Sequence, residues 1–333
     1  MNAPDPSPVI DLIDAFRRSK TMFAAVALGV FDLLEREPAD AATLGAEMRT
    51  RPEALERLLD ACVGLGFLRK ENERYANQPI ASTFLCRASD RSLSGYILYS
   101  NSVLFPMWAH LEDAIREGGH RWKQTFGIDG GIFDHFFQTE EAMRTFLRGM
   151  HGFGALSSPK VVAAFDLSRF HRLVDLGGAT GHLAIAARER YTDLRAAVFD
   201  LPRVIEEAAQ TSDESRIELM AGDFFRDELP EADLYTLGRI LHDWSDDKIR
   251  TLLEKIYLRL PEGGGLLIAE KLLAEDKSGP VPALMQSLNM LVCTEGRERT
   301  LGEYRELLEA AGFRDVQGRV TGAPLDAVLA LKE

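Results

Sequence analysis

The chain has 333 residues, enough for about two domains, and its 46% hydrophobic and 27% charged content is that of a globular protein, not a disordered tail. Acids outnumber bases 52 to 39, a formal net charge of -13, which argues against a general nucleic-acid binder because that work needs clustered positive charge. Cys62, Cys86 and Cys293 lie far apart with no Cys-x-x-Cys pair, which argues against a zinc ribbon or disulfide framework and for a reducing, cytoplasmic setting.

Met1 to Pro8 is polar and proline-rich, and no stretch of eighteen apolar residues follows anywhere, so neither a secretory signal nor a membrane span is expected. Up to about residue 165 the pattern is helical, with helices expected over 8–20, 21–36, 41–48 and 52–65. Pro52 suits a first helical position. Leu55, Leu58, Leu59, Cys62 and Val63 then mark a buried helical face. Phe67 to Lys70 and Arg74 to Asn77 flank a polar turn and predict a hairpin. Helix–turn–helix plus hairpin is a winged-helix pattern, but its second helix carries Glu53, Glu56 and Asp60 against Arg57, a balance that phosphates repel. A dimerisation module fits better. Further helical material runs through 93–165, including Phe105 to Trp108 and Phe133 to Met150.

After about residue 170 short apolar strands alternate with helices, the signature of an α/β sheet. Leu173 to Leu176 runs into Gly177-Gly178-Ala179-Thr180-Gly181, and a helix follows from His182. In a parallel sheet such a turn lies at the C-terminal strand edge, where ligands bind. The next strand, Leu194 to Phe199, ends at Asp200, an acid placed to accept hydrogen bonds from ribose hydroxyls. A dinucleotide needs G-x-G-x-x-G. From Gly177 that spacing meets Ala179 and His182, and from Gly178 it meets Thr180 and Leu183. Asp175-x-Gly177-x-x-x-Gly181 instead matches the acid-plus-glycine turn used for S-adenosylmethionine, which has no phosphate.

The third strand, Ile217 to Ala221, ends in Gly222-Asp223-Phe224, an acid and an aromatic that can bind and cover an adenine or simply form a turn. The fourth, Asp233 to Leu241, ends at His242, and the fifth, Gly265 to Ala269, at Glu270. Both ends share the edge of the glycine turn. A histidine there can act as a general base, with a nearby carboxylate fixing its tautomer. No metal-ligand grouping stands out by spacing. Thr300-Leu301-Gly302-Glu303 is a capping box opening a helix to Ala311, and Val316–Val320 and Ala327–Leu331 finish the sheet as an antiparallel pair.

These residues resemble the S-adenosylmethionine-dependent small-molecule O-methyltransferases of the caffeate and acetylserotonin type. The likeness rests on Leu-Val-Asp-Leu-Gly-Gly at 173–178, Gly-Asp-Phe-Phe at 222–225, Leu-Pro-Glu-Ala-Asp-Leu-Tyr at 229–235, Leu-His-Asp-Trp at 241–244, Ser-Leu-Asn-Met-Leu-Val at 287–292 and Thr-Glu-Gly-Arg-Glu-Arg-Thr at 294–300. Ala27 to Leu34 and Trp108 to Leu111 extend it loosely over the N-terminal half.

The resemblance implies a Rossmann-like catalytic domain over 101–333 and a winged-helix-like domain over 1–100 through which two copies pair. It implies S-adenosylmethionine held by Gly177, Asp200, Gly222, Asp223, Phe224 and Arg239. His242 is then the base, with Glu270 and Glu298 beside it, and Asp243, Asn289 and Cys293 face a small aromatic hydroxyl. Three positions depart from the acetylserotonin type: Gly154 stands for an aromatic, Phe137 for a tyrosine and Cys293 for a substrate-contacting glutamine. Other readings of the sequence are a winged-helix ligand-binding regulator, a nicotinamide dehydrogenase, and a methyltransferase fold with different chemistry.

Overall fold

The computed structural model describes residues 4–130, 139–211 and 217–333. Two compact units are present: the residues up to Phe105 with Arg148–Gly152, and Pro106–Leu147 with Phe153–Glu333.

In the first unit, α1 (Ser7–Leu28) is continuous where the sequence suggests two helices meeting near residue 20. The break falls at Gly29, whose φ of 78° is a left-handed conformation that glycine adopts at little cost, and α2 (Val30–Arg36) follows. The Asp40 carboxylate accepts from Thr43 N to cap α3 (Ala41–Met48), and α4 (Pro52–Gly64) opens on its proline. Leu55, Leu59 and Cys62 of α4 share a core with Val26, Phe31, Leu68 and Tyr75. β1 (Leu68–Glu71) and β2 (Arg74–Asn77) pair antiparallel, as the hairpin reading expects. Two short helices, α5 (Pro79–Phe84) and α6 (Ser94–Tyr99), come next.

Short helices α7 (Phe105–Trp108), α8 (Leu111–Glu117) and α9 (Trp122–Phe126) precede α10 (Glu140–Ala163). The expected helix over Phe133 to Met150 is met only in part: 133–138 lie outside the described residues, and α10 starts beyond its Thr139 cap and runs on past Met150. Phe137 is likewise outside them.

The second unit is built on β3 (Arg172–Leu176), α11 (His182–Arg190), β4 (Arg195–Asp200), α12 (Pro202–Thr211), β5 (Glu218–Ala221), β6 (Leu234–Gly238), α13 (Asp246–Arg259), β7 (Gly265–Glu270), α14 (Val281–Cys293), α15 (Leu301–Ala310), β8 (Arg314–Arg319) and β9 (Asp326–Leu331). The strand order is β5-β4-β3-β6-β7-β9-β8. The first five are parallel, and β9 pairs antiparallel with both β7 and β8. Alternate strand residues feed two cores, one on each sheet face. Val174, Leu176, Tyr235 and Ile268 pack with Ile249, Leu252 and Ile256 of α13. Leu173, Leu234 and Leu267 pack with Leu183, Ala184 and Ala187 of α11 on the other. The fold is thus α/β with helices on both faces of a mostly parallel sheet. Winding runs outward from β3 in one direction and from β6 in the other, so a topological switch point lies between them. No helix among the described residues is long and apolar enough to cross a membrane.

Candidate active site

Everything the glycine motif needs collects at the C-terminal edge of the parallel strands. Gly177 leaves β3 with a φ of 69°, and a Cβ there would fall 2.6 Å from Ile240 Cδ1 and 3.2 Å from the Phe224 ring. A side chain at 177 would therefore close the space between the two strand ends flanking the switch point. Asp200 ends β4, its Oδ2 accepting from Ala179 N at 2.9 Å and its Oδ1 from Leu201 N at 2.7 Å. The acid so consumes a turn N–H that a phosphate would otherwise use. Behind the turn Asp175 is buried, with Thr236 Oγ1 donating to its Oδ1 at 2.6 Å. Desolvation pushes Asp175 up to about 7 and Asp200 up to about 6, and a cation in the cleft would favour the charged form of Asp200.

Gly222 follows β5, donates from its N to Asp200 O at 2.9 Å and lies against the Phe199 ring. Phe224 stands beside Gly177, tilted against Phe225 with centroids 4.8 Å apart. Asp223 is held in its own turn: Oδ1 accepts from Phe225 N at 2.9 Å, and Asp223 N donates to Asp227 Oδ2 at 2.8 Å.

The expectation that the fourth strand reaches Leu241 is corrected. β6 stops at Gly238, Arg239 turns to a φ of 59°, and Leu241–Asp243 form a single 3₁₀ turn. That turn carries His242 back over the edge. The Arg239 guanidinium lies 5.0 Å from the Phe153 ring centroid. Arg299, itself buried, donates to Leu241 O at 3.2 Å and to Asp246 Oδ1 at 2.6 Å, tying the turn to the start of α13.

His242 and Glu298 are 3% and 1% exposed, and Nδ1–H of the imidazole donates to Glu298 Oε1 at 2.6 Å. Glu270, ending β7, accepts from His242 N at 3.1 Å, and Tyr304 O–H donates to its other oxygen. Asp243 Oδ1 lies 3.7 Å from His242 Nε2. Burial alone depresses an imidazolium, but the charges of Glu298, Asp243 and Glu270 outweigh it and raise His242 to about 9. Burial raises Glu270 and lifts Asp243 to about 6. The ligand atoms of His242, Glu270 and Glu298 all lie within 4.8 Å, a grouping able to hold a metal ion that sequence spacing does not reveal. The short N–H···O bond within it already gives the histidine a partner of opposite charge.

Asn289 and Cys293 sit one turn apart on α14, both buried. Trp108 Nε1 donates to Asn289 Oδ1 at 2.8 Å, and Cys293 Sγ faces that oxygen at 3.7 Å. At Gly154 a Cβ would run into the His182 imidazole, whose Nδ1 is 2.8 Å from Ser158 Oγ. An imidazole thus occupies the room that an aromatic at 154 would need. Sequence reasoning passed over His182, Tyr304 and Thr236. His182 stands one residue beyond the motif's last glycine, whereas Tyr304 shares the apolar period of Leu307 and Leu308 and reads as ordinary core.

Residues 108–314 match the family described as the O-methyltransferase domain, and residues 10–87 match the O-methyltransferase dimerisation domain. The acetylserotonin O-methyltransferase of Bos taurus is 44% identical over 329 residues, covering 96% of this chain and 95% of that protein. The Gallus gallus acetylserotonin O-methyltransferase is 43% identical, covering 98% and 97%. Among solved structures, human N-acetylserotonin methyltransferase in complex with SAM superposes with a TM-score of 0.95 at 40% identity, covering 100% of this chain and 99% of that one.

Proposed function

The chain belongs to the O-methyltransferase family, and from that premise we propose that it methylates the hydroxyl of a small indole of the N-acetylserotonin type, with His242 taking the proton. Its activity is S-adenosylmethionine-dependent O-methyl transfer. When bound, S-adenosylmethionine supplies a methyl group on a sulfonium that loses its charge in the transfer. The cleft fits that cofactor: its glycine turn offers backbone room, Asp200 places a carboxylate at the turn, and the Ala179 N–H is already engaged by that carboxylate.

In this reading Asp200 accepts from ribose hydroxyls, and Gly222, Asp223 and Phe224 flank the adenine. Gly177 admits the backbone approach, and Arg239 braces the wall at Phe153. His242 sits beyond β6, across the switch point from that turn. The observation that carries the mechanism is the buried His242 Nδ1–H···Glu298 bond at 2.6 Å. It fixes the tautomer and leaves Nε2 as the lone-pair nitrogen. A phenolic hydroxyl has a pKa near 10 and a free histidine one near 6.5, so an unassisted proton transfer is uphill by roughly 5 kcal/mol. Raised to about 9, His242 once deprotonated is closer in basicity to the phenolate, and below that pH it must first release its own proton. Glu270 holds the His242 backbone in register through its bond to the amide. Asp243, Asn289 and Cys293 line the acceptor side.

The homodimer belongs to the same proposal. Residues 10–87 match a dimerisation domain, and α1 exposes Val9, Leu12, Ile13 and Phe16. These recur at helical spacing as one apolar face that calls for a cover. A cytoplasmic setting is supported by three free, buried cysteines. The experiment is to incubate the protein with S-adenosylmethionine and N-acetylserotonin, alongside simple phenols and polyketides. N-acetylserotonin is expected to gain one methyl group; no gain on any hydroxyl would refute the reading.

A further inference from the structure

We infer that Gln286 selects the methyl acceptor, its side-chain amide donating to a carbonyl oxygen at the end of the molecule remote from the reacting hydroxyl. The inference rests on the hydroxyl-methylating reading above and narrows it to one class of acceptor.

Gln286, Asn289 and Cys293 fall at positions i, i+3 and i+7 of α14, one face of the helix. At Asn289 the acceptor capacity of that face is spent. Asn289 Oδ1 takes the Trp108 indole N–H at 2.8 Å and faces the Cys293 thiol at 3.7 Å. That orientation leaves Asn289 its amide N–H₂ to offer, and an amide N–H₂ only donates. Burial pushes the Cys293 thiol upward, so it stays protonated and offers no more than a weak acceptor. Gln286 Nε2 is buried and has no hydrogen-bond partner among the described residues. A buried donor without an acceptor is costly, and such groups call for an unseen partner. The buried group left unmet on that face is a donor, and what completes it is a hydrogen-bond acceptor.

Its position gives the length of the ligand. The Cys293 end of α14 is the catalytic end: the Asp243 charge acts on its thiol, and Gly296 packs its Cα against the His242 backbone carbonyl. Gln286 lies seven residues earlier on the helix, two turns or about 10 Å along the axis. A single hydroxylated ring does not span that distance. A fused aromatic with its hydroxyl at one end and an amide, ester or ketone carbonyl on a side arm does.

The test compares wild-type enzyme with Gln286→Leu, which keeps the bulk and removes both donors. The two probes are N-acetylserotonin, which carries an amide carbonyl, and 5-hydroxyindole, which has no side arm. Thermal midpoint and S-adenosylmethionine affinity serve as controls for folding. In wild type, N-acetylserotonin should have the higher kcat/KM. In Gln286→Leu its KM should rise about 10- to 100-fold with kcat kept, while the KM for 5-hydroxyindole changes by less than about twofold. An unchanged KM for N-acetylserotonin, or equal losses on both probes, overturns the inference while hydroxyl methylation stands. If wild type methylates neither probe, the indole reading falls and takes the inference with it.

Discussion

His242 Nδ1 and Glu298 Oε1 are 2.6 Å apart, although 56 residues separate them in the chain. Both are buried, so the carboxylate acts on the imidazole through little screening. The base is competent only when deprotonated. With its pKa raised to about 9, kcat/KM should climb with pH and level off only above that value. Glu298→Gln removes the foremost upward influence, so the limb should move to lower pH. The plateau should also fall, by roughly 10²- to 10⁴-fold, as tautomer control is lost. A pH–rate profile of both proteins checks this; an unmoved limb means that Glu298 does not set the base.

Asp200 offers a second pH test of opposite consequence. Its pKa of about 6 in the cleft reflects desolvation. Only the ionised carboxylate is a pure acceptor for hydroxyls and an attractive partner for a cation. Lowering the pH through 6 should therefore weaken S-adenosylmethionine binding by about tenfold per unit. Calorimetry across that range reads it directly. Asp200→Asn should bind weakly at every pH with the dependence flattened, and a wild-type Kd that stays level below pH 6 would remove Asp200 from the cofactor site.

Gly154 and His182 form a pair that should behave non-additively. A Cβ at 154 collides with the imidazole and must displace it from Ser158. Gly154→Phe alone should lower the thermal midpoint and loosen cofactor binding. Adding His182→Ala should restore most of both, with a coupling of about 1–3 kcal/mol. Simple addition of the two single effects would show that the ring and the glycine do not share one space.

The apolar face of α1 should hold two copies together. Leu12 and Phe16 are 74% and 54% exposed. Leu12→Glu with Phe16→Glu places charge on that face without touching the buried Ala25 or Val26. Light scattering should give a dimer for the wild type and a monomer, still folded by circular dichroism, for the variant. A variant that remains dimeric would move the interface elsewhere.

Much of the sheet could be read directly, because strands flanked by glycine, proline and acids announce their own ends. β7 over Gly265–Glu270 and the Thr300 capping box are cases in point. The end of β6 could not be read, since Ile240 and Leu241 continue the apolar run although the strand has already stopped at Gly238. The α1 boundary was missed for a similar reason. Helical spacing carries straight through residue 20, and only the conformation of Gly29 marks the stop.

At the site, local pattern reaches Asp200, His242 and Glu270, each at or near a strand terminus. Nothing local joins His242 to Glu298, which family resemblance supplied and tertiary packing brings into contact. Gln286 shares an otherwise apolar helix with Ser287 and Asn289, and only the atoms around it show that its donor is unmet.

One variant tests His242 as the group that removes the acceptor proton. His242→Ala should bind S-adenosylmethionine with the affinity of the wild type, measured by calorimetry, and lose about 10²- to 10⁴-fold in methyl transfer to N-acetylserotonin. Undiminished turnover in that variant, with cofactor affinity intact, would contradict the assignment of the base.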